Sequence, residues 1–168
     1  MQKSEQIKEI VVEELPRLRR FAYSLTGSKA DADDLTQNVV IRLLKAGIPE
    51  EGSAIAWMLR ICKNCWIDEI RSRSVRSKAV DAIRYDADSA NATDMQVTNQ
   101  LDTQRVIEAM INLSENQRIV LSMVAIEGMS YGEAAEVLEV PIGTIMSRVA
   151  RARANLQKSL CSASGEMA

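Results

Sequence analysis

Histidine is absent from this chain. Without it, no Ser-His-Asp or Cys-His apparatus and no His-ligated metal site can be built from these residues. Aromatic residues are scarce at 4% against 46% hydrophobic, so any core must be made of Leu, Ile, Val, Met and Ala. The three cysteines are an odd number, which argues against a disulfide framework. Apolar runs last only a few residues, far short of the ~20 that a membrane span needs. Met1-Gln2-Lys3-Ser4-Glu5 leads into Lys8, Glu9, Glu13 and Glu14 with no apolar signal segment. These absences predict a soluble, cytoplasmic protein with no membrane insertion, no catalytic residues, no metal and no cofactor.

The 168 residues fit one ordinary domain or two small ones. A net charge of −2 counts by itself against a free-standing nucleic-acid binder, but the average conceals a segregation. Arg60, Lys63, Arg71, Arg73, Arg76, Lys78 and Arg84 face only Asp68, Glu69 and Asp81 over their stretch. Ile142 to Lys158 carries Arg148, Arg151, Arg153 and Lys158 with no acid. Two basic stripes in an acidic chain point to two nucleic-acid contacts and a separate partner surface.

Apolar residues recur at three and four and never alternate for long, so the expected fold is all-α. Ile7, Ile10 and Val11 open a helical pattern, and Pro16 is placed to begin a second segment through Leu18, Phe21, Ala22 and Leu25. Gly27 stops it, and Ser28 caps the next helix, with Asp31, Asp33 and Asp34 in its first turn. Ser53 starts a long helix that fades into the basic run Arg71 to Lys78. Tyr85 to Asn99 has almost no large aliphatic residue and reads as a linker. Beyond it, Ser114-Glu115-Asn116-Gln117 and Ser130-Tyr131-Gly132-Glu133 are two capping boxes, the first opening a helix that Gly128 closes. The expected organisation is therefore a unit over 1–84, a flexible linker over 85–100, a second helical unit over 101–160 and a tail over 161–168.

The strongest pattern is the last pair of helices. A short capped helix, the turn Glu139-Val140-Pro141 and a helix presenting Thr, Ser and Arg make a helix-turn-helix. Ala134 and Ala135 are small where the helices approach. Backbone N–H groups near Gly143 and Thr144 are placed for a phosphate, with Ser147, Arg148 and Arg151 projecting outward.

Ser130-Tyr131, then Pro141-Ile142-Gly143-Thr144-Ile145, Ser147-Arg148 and Arg151-Ala152-Arg153, resemble region 4 of extracytoplasmic-function (ECF) sigma factors of the sigma-70 family. Leu113-Ser114-Glu115-x-Gln117-Arg118 looks like the opening of the same region. Asp31-Ala32-Asp33-Asp34-Leu35-x-Gln37 is similar to the region 2 signature Asp-Ala-Glu-Asp-Leu-x-Gln. Ala56-Trp57-Met58-Leu59-Arg60-Ile61-Cys62-Lys63-Asn64 and Asp68-Glu69-Ile70-Arg71 resemble the segments that follow it in that family.

The resemblance implies a region 2 bundle and a region 4 helix-turn-helix that together direct promoter-specific initiation by core RNA polymerase. It implies that Asp34, Gln37, Val40 and Ile41 dock on the β′ clamp helices, and that region 4 meets the β flap. Lys63, Asn64, Arg71, Arg73 and Arg76 are expected at the minus-ten element, Asn64 reading a flipped base. Gly143, Thr144, Met146, Ser147, Arg148 and Arg151 are expected at the minus-thirty-five element. Met146 stands where relatives usually carry Lys or Arg, which shifts readout toward thymine methyls and DNA shape. An anti-sigma partner is expected by analogy. Trp57 and Trp66 are expected to pack in the core.

Two rival readings leave different traces. An adaptor that bound only an anti-sigma protein would lack the basic helix ends that this chain has. A thiol enzyme would use the C-x-x-C pair Cys62 and Cys65, but with no βαβ context they read as small hydrophobes on a helix.

Overall fold

Capping chemistry decides where the helices begin. In the computed structural model, which describes residues 2–80 and 99–165, the order is α1 (Gln2–Thr26), α2 (Lys29–Ala46), α3 (Ala54–Val80), α4 (Asn99–Ile111), α5 (Glu115–Leu121), a π-helical turn (Ser122–Ile126), α6 (Tyr131–Leu138) and α7 (Ile142–Gly165). Among the described residues there is no strand, as the periodicity predicted. The expected linker lies outside them up to residue 98, and Asn99 and Gln100 already belong to α4.

Ser28 Oγ accepts from Asp31 N at 3.4 Å and starts α2; Ser53 Oγ accepts from Ala56 N at 3.3 Å and starts α3. The Ser130 box closes in both directions: Glu133 N donates to Ser130 Oγ (3.1 Å), and Ser130 N donates to Glu133 Oε2 (2.8 Å). The Ser114 box forms one half only. Gln117 N donates to Ser114 Oγ at 3.3 Å, but the Gln117 side-chain oxygen accepts from Asn155 on α7 at 3.0 Å.

Two expectations are corrected. Pro16 lies inside one continuous helix and does not open a second segment. Ile7, Ile10 and Val11 before it and Leu18, Phe21 and Ala22 after it pack on the same core, and that burial outweighs the backbone bond proline cannot make. The helix expected to run from Ser114 to Gly128 instead widens after Leu121, where Glu127 N reaches back five residues to Ser122 O at 3.0 Å.

The first unit packs α1 against α2 and both against α3. Leu18, Phe21, Leu25, Val39, Leu43, Met58 and Leu59 are fully buried there. The second unit folds α4 to α7 around Met110, Leu113, Leu121 and Ala152, with Ile126 and Leu156 at its edge. The units are not separate beads. α1 touches α4, α5 and the π-helical turn, and α3 touches α6. One apolar cluster runs from Val11 and Phe21 to Val120, Met123, Val137 and Val149.

Candidate nucleic-acid interface

α3 presents two faces. One, turned to solvent, carries Lys63, Asn64 and Arg71, which with Arg42, Ile67 and Asp68 line a shallow depression of about 420 Å³. Asn64 also lines an adjoining apolar depression of about 380 Å³ walled by Trp57 and Ile61 and rimmed by Arg42 and Lys45. An exposed amide at the junction of an apolar floor and a cationic rim matches the chemistry of a base with its phosphate. Burial lowers the Lys63 pKa, opposed by the Glu139 carboxylate.

Arg73 is not on this face. It lines a separate 280 Å³ pocket with Asp31, Asp34, Glu69 and Trp66. Its guanidinium pairs with Glu69 at 3.0 Å and Asp31 at 3.6 Å, and sits 5.9 Å from the Trp66 ring centroid. The sequence run Arg71 to Arg76 therefore splits, because residues two apart on a helix point about 160° apart. Arg76 is exposed and donates to Ser72 Oγ at 3.0 Å.

On α2, Asp34, Gln37 and Ile41 are exposed and Val40 is half-buried, with Leu44 extending the apolar part. Asp31 and Asp33, read as compensating the helix dipole, also tie α2 to its neighbours: Asp33 accepts from Arg19 at 2.8 Å. Trp66 packs as expected, 6% exposed, and its indole N–H donates to Glu115 Oε2 at 2.8 Å. Trp57 is only half-buried. Its indole N–H is shut away from solvent without a hydrogen-bond acceptor, and the Arg60 guanidinium lies 5.9 Å from its ring centroid.

The helix-turn-helix is built from α6, a turn and α7. Glu139 caps α6 in the left-handed region (φ 56°), which swings the chain into Pro141. Ala134 (0%) and Ala135 (9%) are buried, as close helix approach requires, and Ile145, Val149 and Ala152 anchor α7. The outer side carries Gly143, Met146, Ser147 and Arg151, all exposed, with Thr144 and Arg148 half-buried. Among the described residues, nothing beyond its own helical turn lies within 4 Å of where a Gly143 side chain would start, so that position is open to an outside group. The N–H of Thr144 is not: it donates to Pro141 O at 3.0 Å. Met146 is 54% exposed, and Ile142, one helical turn before it, is 52% exposed.

The Cys62 and Cys65 thiols are shielded by burial. Cys62 is fully buried, and burial reinforced by neighbouring Cys65 pushes its pKa far up; burial also raises that of Cys65. Among the described residues no group of His, Cys, Asp and Glu could hold a metal, and no helix is long and apolar enough to cross a membrane.

Sequence reasoning missed the charges that join the units. Arg118 is 5% exposed and donates to Met110 O (2.9 Å), Leu25 O (2.7 Å), Leu113 O (3.2 Å) and Ile111 O. Burial lowers its pKa, partly offset by Glu115. The Glu127 side chain is wholly buried and accepts from Arg17 and Arg20 of α1 at 3.2–3.3 Å. In a linear reading Glu127 looks like an ordinary surface charge, and Arg118 stands out only as the end of a motif with nothing to mark it as buried.

The chain matches two family models, sigma-70 region 2 over residues 10–76 and sigma-70 region 4 over residues 103–156. It is 34% identical over 160 residues to the ECF RNA polymerase sigma factor EcfG of Rhodopseudomonas palustris, covering 94% of this chain and 86% of that one. It is 32% identical over 164 residues to the ECF sigma factor SigE of Mycolicibacterium smegmatis, covering 95% of this chain but only 63% of that longer one. Among solved structures it is similar to the sigma factor RpoE bound to the anti-sigma factor NepR from Bartonella quintana, with a TM-score of 0.78, 28% identity and 93% and 97% of the two chains covered. CnrH in complex with the cytosolic domain of CnrY aligns at a TM-score of 0.63 with 25% identity, over 93% of this chain and 88% of that one. Two family models in order on two packed helical units, with likeness to EcfG over 94% of this chain and 86% of that one, place this chain in the ECF group of sigma-70 family RNA polymerase sigma factors.

Proposed function

We propose that this chain works without a catalytic step of its own, by carrying core RNA polymerase to a particular set of promoters in the bacterial cytoplasm. Residues 1–84 form the polymerase and minus-ten unit, the linker ends before Asn99 where α4 begins, and α4 to α7 form the minus-thirty-five unit, α7 continuing to Gly165 through the start of the expected tail. The observation that carries this reading is the pairing of two exposed surfaces of different chemistry on the first unit. The acid, amide and apolar groups Asp34, Gln37, Val40 and Ile41 suit a protein groove, here the β′ clamp helices of polymerase. Lys63, Asn64 and Arg71, which share one face of α3, suit melted minus-ten DNA, while Arg73 is turned to the pocket beside α2.

In the second unit, α7 enters the major groove with Gly143, Thr144, Met146, Ser147, Arg148 and Arg151, while the unit rests on the β flap. An anti-sigma protein restrains the chain by covering these faces, as the anti-sigma factor NepR is complexed with the similar sigma factor RpoE. In vitro transcription with core polymerase and a promoter library tests the whole reading. Selective initiation dependent on this chain is expected, and no initiation from any library member overturns it.

A further inference from the structure

The exposed side of α7 is not uniform. Ile145, Val149 and Ala152 hold the helix to the second unit, and the surface left to solvent divides into two edges. With about 100° between successive residues, Ser147 and Arg151 share one edge, with half-buried Thr144 and Arg148 behind them. Ile142, Met146 and Ala150, spaced by four, lie along the other, all exposed, with the open Gly143 position beside them. This second edge offers no side-chain N–H or O–H until Arg153, exposed and about a turn beyond Ala150. Single exposed hydrophobic residues are ordinary on a protein surface, but here two large ones stand one turn apart on the outer helix of the helix-turn-helix.

Against a base pair, such an edge discriminates by what it cannot do. In the major groove guanine, adenine and cytosine are marked by polar atoms, and thymine alone adds a methyl group. An Ile or Met side chain laid on guanine O6 and N7 displaces water without replacing its hydrogen bonds, whereas on a thymine methyl it buries apolar surface on both partners. Four residues of helix separate the two side chains by about 6 Å along the axis, close to two base-pair steps of about 3.4 Å. We propose, resting on the sigma-factor reading above, that the Ile142–Met146 edge of α7 is a dry reader of thymine methyl groups at two minus-thirty-five base pairs. The polar edge agrees with this. The Ser147 hydroxyl donates to Thr144 O at 3.1 Å, so toward DNA it offers acceptor lone pairs, which the N6 amino group of adenine, the partner of thymine, can use. Arg151 and Arg153, on either side, are placed for phosphates.

Replacing thymine by deoxyuridine removes the methyl group and leaves every hydrogen bond of the base pair in place. The test uses holoenzyme made from the full chain and core polymerase. A promoter is selected from a library by initiation, and each minus-thirty-five thymine, on either strand, is then replaced in turn. Deoxyuridine at two positions is expected to weaken holoenzyme binding about fourfold each, the effect of one buried methyl-sized group. Met146→Ala is expected to bring the penalty at one of these positions below twofold, and Ile142→Ala the penalty at the other. Arg151→Ala is expected to weaken binding with both penalties unchanged. Met146→Arg is expected to change the base selected at its position from thymine to guanine. A selected element without thymine on either strand, penalties below twofold at every position, or penalties that persist in both Met146→Ala and Ile142→Ala overturn the proposal. A Met146→Ala chain that loses core binding puts a protein on this edge instead and overturns it as well. If no library member initiates with the unaltered chain, the sigma-factor reading itself fails, an outcome on which deoxyuridine and the variants have no influence.

Discussion

The interior of the first unit and the joint between the units are both buried, but they are made differently. Inside, Leu18, Phe21, Leu25, Leu43, Met58 and Leu59 exclude water, and the buried Ser24 and Thr36 hydroxyls donate back to carbonyls of their own helices, Phe21 O and Ala32 O. At the joint, buried Arg118 and Glu127, the Trp66–Glu115 bond and the Arg60 contacts with the end of α6 add directed polar bonds to the apolar cluster that continues from Val11 and Phe21 into Val120, Met123 and Val149. Apolar burial is non-directional and hard to substitute, whereas hydrogen bonds to helix-end carbonyls can be exchanged for water or phosphate at modest net cost. The lesson is that the joint adds directional bonds to the apolar packing it shares with the interior.

Removing the bulk of the interior should have the largest effect. Phe21→Ala leaves a cavity among fully buried neighbours and should cost about 3–5 kcal/mol, read from urea unfolding by circular dichroism. A loss under about 1 kcal/mol would mean that this interior is no better packed than the joint. Arg118→Met keeps the apolar stem but strands buried carbonyls in both units, and should cost about 2–4 kcal/mol. Hydrogen exchange should show the loss concentrated in α4 and α5, where Met110, Ile111 and Leu113 supply three of its acceptors. An unchanged exchange pattern would contradict the role given to Arg118.

These two outcomes bear on what a linear reading can reach. Phe21 was legible, because its spacing from Leu18, Ala22 and Leu25 marks one helical face. Arg118 was legible only as a motif residue: nothing in Gln117-Arg118-Ile119 says that four carbonyls from two helix ends will converge on it. Arg73 failed for a related reason, since its neighbours in sequence point elsewhere and its partners come from α2 as well as α3.

Smaller effects sharpen the comparison at the surface, away from both interior and joint. Arg151→Ala should weaken promoter binding by the holoenzyme about fivefold, roughly 1 kcal/mol, while binding to core stays unchanged. A parallel loss of core binding would contradict the division between the faces. Ser130→Ala removes one half of a closed capping box and should lower stability by about 1 kcal/mol without altering the joint. A chain that loosened at Arg60 in this variant would show that α6 is held by its cap more than by α3.

What the residues in order determined was local: an all-α chain, the serine caps, the glycine stops, the helix-turn-helix with its outward arginines, and the two sigma-factor signatures. Periodicity and capping act over a few residues, so they survive in one dimension. Only the tertiary structure decided that Pro16 stays within a helix, that a π-helical turn precedes Glu127, and that Arg60 faces the end of α6. Each of those depends on partners up to 110 residues away, and burial, not propensity, chose between the alternatives.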